Sequence, residues 1–190
     1  MDFRDIAAFK MSYNNNENRK EILRFIKDIL TADADGIKKL KELAGEVCEL
    51  TESVDPFIQQ HTEAVCPDCR KVCCVNRHSY HEHEDLVYVY ALGEKLPSYN
   101  EDVGDTEPCQ FLGGQGCAIR RTARPYRCNW YFCAPLLEHI QGCAAADYRK
   151  FTASMQHLTG KRESLLNEFL RIAEERMGSL PPRAGFERKL

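Results

Sequence analysis

The chain has 190 residues, a formal net charge of −3 and a mean hydropathy of −0.49, the size of one compact domain. At 43% apolar and 29% charged residues its composition excludes a disordered chain and a collagen-like repeat. A pI of about 6.1 disfavours a nucleic-acid binder held by bulk charge, and no apolar run reaches the roughly 20 residues that span a bilayer.

At the N-terminus Arg4, Asp5 and Lys10 interrupt the apolar run a signal peptide needs. The expectation is a soluble, cytoplasmic protein with neither a membrane nor a nucleic-acid partner. Phe3, Ile6 and Ala7 form a weak helical stripe. After the polar loop Asn14-Asn15-Asn16, a stronger one follows at Ile22, Phe25, Ile26, Ile29 and Leu30. A third stripe runs through Ile37, Leu40, Leu43, Ala44, Val47, Leu50 and Val54, with Asp33 or Asp35 as its N-cap. Asp55-Pro56 reads as a new cap with proline at the first helical position, restarting a short helix through Phe57 and Ile58.

Residues 66–134 differ in kind: glycine and proline punctuate them, and their periodicity is short-ranged. His83 or Glu84 opens a helix to about Leu92, although Leu86-Val87-Tyr88-Val89-Tyr90 also suits a strand. Residues 97–108, with four acids, read as an exposed loop. From Pro135 a helical pattern runs through Leu136, Ile140, Ala144, Tyr148, Phe151, Met155 and Leu158. Gly160 ends it, and a last helix follows with Leu165, Leu166, Phe169, Leu170, Ile172 and Ala173, closed by Gly178 and Pro181-Pro182. The fold class expected is mainly α: N- and C-terminal helices packed together around a central cysteine-rich, loop-rich metal-binding module. The parts of this single domain are an N-terminal helical segment (1–65), the cysteine-cluster module (66–134), C-terminal helices (135–180) and a polar tail (181–190).

Ten cysteines in a chain with no export signal need a reason other than disulfides. Cys66, Cys69, Cys73 and Cys74 fall within nine residues, and a second group follows at Cys109, Cys117, Cys128 and Cys133. Crowded thiolates repel one another unless a cation neutralises them, so metal or cluster ligation by these eight is the natural reading. The two-residue gap between Cys66 and Cys69 lets both sulfurs turn onto one ion. Cys73 and Cys74, being adjacent, either serve two metals or divide into one ligand and one packing residue. Trp130, Tyr131 and Phe132 are placed to shield such a centre from water. Cys48 and Cys143 lie in helix-period stretches and read as small core residues.

The run Cys66-Pro-Asp-Cys69-Arg-Lys-Val-Cys73-Cys74, followed by Cys109-Gln-Phe-Leu, Gly116-Cys117-Ala-Ile and Arg124-Pro125-Tyr-Arg-Cys128, resembles the CxxCxxxCC cysteine-cluster family of YkgJ-like zinc- or iron-chelating proteins. The resemblance covers about residues 66–133. It implies a small bacterial protein that chelates zinc or iron, the iron either as an ion or as an iron–sulfur cluster. One branch of that family is associated with flagellin lysine methylation, in much longer chains. Arg120 stands where family members often carry an aromatic residue, and Asn129 where they carry a basic one. Neither departure removes a sulfur.

His78, His81 and His83 follow the first group; with eight cysteines available they read as solvent-facing rather than as ligands. Arg120, Arg121, Arg124 and Arg127 surround Cys117 and Cys128. They either offset an anionic thiolate centre or hold an anionic substrate, or else form a solvated face paired with Glu101, Asp102, Asp105 and Glu107. The function expected is metal binding, of zinc or iron through cysteine thiolates. An iron–sulfur redox or transferase enzyme, or a metal storage or delivery protein, stands as the alternative. No Gly-rich nucleotide loop or nucleophile–base pair points to catalysis.

Overall fold

The computed structural model describes residues 16–31, 37–69, 72–114 and 116–179. These are mainly helical. Helix α1 (Asn16–Thr31) turns Ile26 and Ile29 inward. Helix α2 (Lys38–Val65) buries Leu40, Ala44, Val47, Thr51, Val54, Ile58 and His61. That alternating spacing of four and three residues keeps one face inward over about six turns. Helix α3 (His83–Ala91) follows, then a two-residue hairpin of β1 (Leu112–Gly113) and β2 (Gly116–Cys117). The short α4 (Arg127–Trp130), α5 (Ala134–Gln141) and the long α6 (Ala145–Ser179) complete the chain.

The core lies where α2 meets α6. Phe151, Leu158, Leu165 and Ile172 recur every seven residues along α6 and are all buried, the seam of a coiled-coil-like contact. Lys39 pairs with Glu168 at 3.0 Å, Glu46 with Lys161 at 2.5 Å, and Phe57 stacks on Phe151 with ring centroids 4.3 Å apart. Numbers fall on α6 as they rise on α2, so the two helices run antiparallel. Helix α3 packs against α1, α2 and α6. The strand alternative for its apolar run loses because Glu82 and Asp85 form a reciprocal capping box at its start. Leu86, Val87, Tyr88 and Val89 are then buried on every side of the helix. Asp85 also accepts Arg162 Nη2 at 3.0 Å and the Tyr126 amide at 3.1 Å, and so fixes the cysteine-rich segment to α6.

Several expected boundaries move. Pro56 does not restart a helix; α2 runs through it without a break. Proline removes one amide donor, but Pro56 lies on the exposed face, while Val54 and Ile58 hold the buried one. The N-cap of α2 is Ile37, without a side-chain cap bond; Asp33 and Asp35 lie outside the described residues, as do Phe3, Ile6, Ala7 and Pro181-Pro182. The pattern from Pro135 breaks at Gly142, the C-cap of α5. Gly160 sits inside α6 rather than ending it, and α6 passes Gly178 to Ser179.

Candidate functional site

The first cysteine group begins where α2 stops. Cys66 is its C-cap, donating its amide to Thr62 at 2.9 Å, and Cys69 donates back to the Cys66 carbonyl at 3.2 Å. This tight turn is the one the two-residue gap suggests. Cys73 and Cys74 lead into a 3₁₀ turn at Asn76–His78. There the chain pairs with the approach to the second group. The Cys109 amide donates to the Cys74 carbonyl at 2.8 Å, the Asn76 amide donates to Glu107 at 2.8 Å, and Val75 faces Pro108 in an antiparallel bridge. Two cysteines with 34 residues between them are thereby adjacent across a backbone ladder.

Cys117 lies opposite Leu112 in the hairpin, whose turn places Gly116 at a φ of +102°, a conformation a side chain would strain. Cys128 rides on α4, and Cys133 is the N-cap of α5. Arg124, extended before Pro125 at φ −83° and ψ 154°, turns the chain so that Cys128 comes back to the cluster.

All ten cysteines are unbridged. The Cys73 thiol hydrogen-bonds Cys133 and interacts with Cys66 and Cys74. Cys74 interacts with Cys117 and Cys133, and Cys128 with Cys117, Cys74 and Cys109. Cys66 interacts with Cys74, Cys133 and Cys69, so charge interactions cross between the two groups. The adjacent pair divides its contacts: Cys73 is half-buried, whereas Cys74 is exposed and alone of the two meets Cys117.

Burial pushes the Cys128 thiol up to about 12, with Cys117, Cys74 and Cys109 adding to it and Arg124 opposing. Burial also raises Cys73, followed by its bond to Cys133. It raises Cys66, Cys74 and Cys109 in the same way. Each new thiolate here meets the field of the others, which favours the protonated form. Among the described residues, no three His, Cys, Asp or Glu side chains are arranged as a group that could hold a metal ion.

The other expected participants separate. His81 is buried, not solvent-facing: its Nε2 donates to the Ala123 carbonyl at 3.0 Å and its Nδ1 accepts from the Tyr99 hydroxyl. His83 Nε2 lies 3.2 Å from Glu84. Burial, then the positive charge of Arg127 and Arg77, holds His78 below the ordinary imidazole range. Arg121 is buried against Asp55 at 2.6 Å and donates to the Cys128 carbonyl at 3.2 Å. Arg120 pairs with Glu94. Arg124 donates to Ile119 and stands near Cys74 and Cys128. Only Phe132 of the three expected shielding aromatics packs inward, against the core and Phe151; Trp130 and Tyr131 are 45% and 42% exposed.

Cys48 packs against the core. Cys143 does not: it lies in the turn between α5 and α6, its thiol donating to the Ala144 carbonyl at 3.7 Å.

Two features escape a reading by periodicity. Asn76, fully buried, donates to the Val103 carbonyl, and its side-chain oxygen accepts from Ser79 and from both the backbone and side-chain amides of Gln110. It stands two residues after Cys74, and Gln110 follows Cys109, so this bond network locks the two groups together. Buried His61 meets His139 with Nδ1 atoms 2.9 Å apart, tying the helix that ends at Cys66 to the helix that begins after Cys133. The only sequence signal for either is a polar residue close to a cysteine. The chain matches no protein-family model, no curated protein and no solved structure.

Proposed function

We propose that this chain is a metal-binding protein that holds zinc or iron through thiolates drawn from Cys66, Cys69, Cys73, Cys74, Cys109, Cys117, Cys128 and Cys133. The observation that supports this reading is the backbone bond from Cys109 to Cys74, which sets one cysteine of each group side by side; thiolates are the soft donors that zinc and iron favour. The donor chemistry fits: the thiols are unbridged, and thiols bind divalent cations by releasing their protons. When bound, the metal supplies neutralisation of the clustered charge, and a closed zinc shell supplies folding free energy as well. The residues themselves set the access. Cys69, Cys73, Cys109, Cys117, Cys128 and Cys133 are half-buried, Asn76 holds the two segments in register, and Arg124 adds a positive charge beside Cys74 and Cys128. A reducing, cytoplasmic setting suits ten unpaired thiols, and the likeness to YkgJ-like chelating proteins points the same way.

The exposure of Cys66 and Cys74 favours a second reading, metal storage or delivery, because exposed thiolates exchange ligands readily. Anaerobic purification followed by a visible spectrum and elemental and sulfide analysis tests both readings. A colourless protein with zinc supports a thiolate zinc site, and a brown one with iron and sulfide supports a cluster. Loss of the bound metal to a competing chelator within minutes supports delivery. A protein isolated free of metal that takes up neither zinc nor iron overturns the proposal.

A further inference from the structure

Six large apolar side chains are exposed among the described residues: Val72, Leu112, Trp130, Tyr131, Leu137 and Tyr148. The first five each lie within four residues of a cysteine of the two groups. Exposed apolar residues scattered singly need no explanation, whereas Trp130 and Tyr131 stand together, edge to face with ring centroids 6.3 Å apart, as at a contact surface. Basic charge accompanies them. The Arg127 guanidinium lies 4.9 Å from the Tyr131 ring and 5.4 Å from the Trp130 ring. Its buried Nε has no hydrogen-bond partner among the described residues. Arg77, exposed, donates to the adjacent His78 at 3.3 Å, and the field of Arg127 reaches the same imidazole. Tryptophan, tyrosine and arginine together are the composition of binding hot spots.

We propose that the patch formed by Arg127, Trp130 and Tyr131, with Arg77 beside it, docks an acidic, partly apolar segment of a partner protein. The inference rests on the thiolate-centre reading for its purpose, which is to bring that partner to the edge of the cysteine cluster. Charge complementarity selects the occupant: two arginines on a chain of net charge −3 attract a short acidic segment. A long polyanion is disfavoured, because the exposed loop through Asp102, Asp105 and Glu107 adjoins Arg77, whose amide donates to the Asp105 carbonyl at 3.0 Å. An apolar flank on the partner matches the exposed rings.

Trp130 is the only tryptophan in the chain, so its emission reports on this surface directly. The full-length reduced protein, with its zinc and iron content measured on the same sample, is titrated with three probes: a hexapeptide of glutamate and leucine, its glutamine counterpart, and an octamer of deoxythymidine. The expected result is a saturable change in Trp130 emission with the glutamate peptide. Its dissociation constant should rise about tenfold in Arg127→Ala, the effect of losing one charge-assisted contact, and should also rise with salt. Arg77→Ala, at an exposed position, should weaken binding several-fold and serves if Arg127→Ala loses its helical circular dichroism. No saturable change, an equal response to the glutamine peptide, or tighter binding of the oligonucleotide overturns the proposal. A sample that carries metal yet ignores the peptide removes the docking surface alone. One that binds the peptide but never takes up metal removes the metal reading and leaves the docking surface standing.

Discussion

Cys69 and Cys48 carry the same thiol in opposite surroundings. Cys69 closes the turn at the end of α2 beside Cys66, while Cys48 packs against the core on α2 near the Tyr88 hydroxyl. Replacing sulfur by the harder hydroxyl oxygen in Cys69→Ser should lower the metal bound per chain. Cys48→Ala and Cys143→Ala should leave that stoichiometry at the parent value in elemental analysis, and a loss of metal in either would place that thiol among the ligands. The two cysteine groups stand out in the sequence by their crowding alone. The environment of single polar residues does not. His81 reads as a surface histidine until the fold supplies the Ala123 carbonyl and Tyr99 hydroxyl that satisfy it, from residues 42 and 18 positions away. Cys143 keeps helical spacing with Ile140, yet the Gly142 cap turns it out of the helix altogether.

At the level of elements, periodicity located the helices and local breakers misplaced their ends. Pro56 reads as the start of a new helix and Gly160 as a stop, yet both lie inside helices whose buried faces continue past them: Val54 to Ile58 in α2, Leu158 to Leu165 in α6. Burying one such leucine contributes roughly 1.5–3 kcal/mol, more than the roughly 1 kcal/mol by which glycine disfavours a helix interior. A Cβ at Gly160 meets nothing within 4 Å, so Gly160→Ala should stabilise the protein by about 1 kcal/mol in denaturant unfolding. The antiparallel seam also carries a pH dependence. The hydrogen bond from Arg171, then that from Lys39, holds the buried Glu168 carboxyl down at about 2 against its ordinary 4.5, over the opposing effect of burial. A depressed carboxyl contributes stability that is complete above about 4.5 and disappears as the pH falls through about 2. Stability should therefore fall across that window, and Glu168→Gln should flatten the fall while lowering stability at neutral pH.

For the whole molecule, the two halves of the architecture draw on different sources of stability. The α2–α6 seam and α3 form a continuous apolar core, whereas residues 66–134 outside α3 contribute few of its fully buried apolar side chains. Under the metal-binding proposal, chelation should loosen the segment from Cys66 to Cys133 and leave most of the helix in place. Limited proteolysis with circular dichroism checks this. New cleavage sites between Cys66 and Cys133 with ellipticity largely retained is the expected outcome; unchanged resistance would show that the segment does not depend on metal. This division was visible in the sequence as a change from helical periodicity to glycine- and proline-punctuated chain. The polar ties across it were not visible, because Asp85–Arg162 and Asp55–Arg121 join residues 77 and 66 positions apart and leave no local pattern.

The ladder at Cys74 and Cys109 also has a consequence in time. The amides of Cys109 and Asn76 are each held by a carbonyl from the opposite segment, at 2.8 Å in both cases. Neither can trade its hydrogen for deuterium until the two segments part. Their exchange is thus a clock for that separation, independent of any colour or metal signal. In deuterium exchange followed residue by residue, the two amides should slow in concert. Replacing Asn76 by Ala, which removes the side-chain bonds to Gln110 and Val103, should speed both together while amides near Leu158 keep their pace.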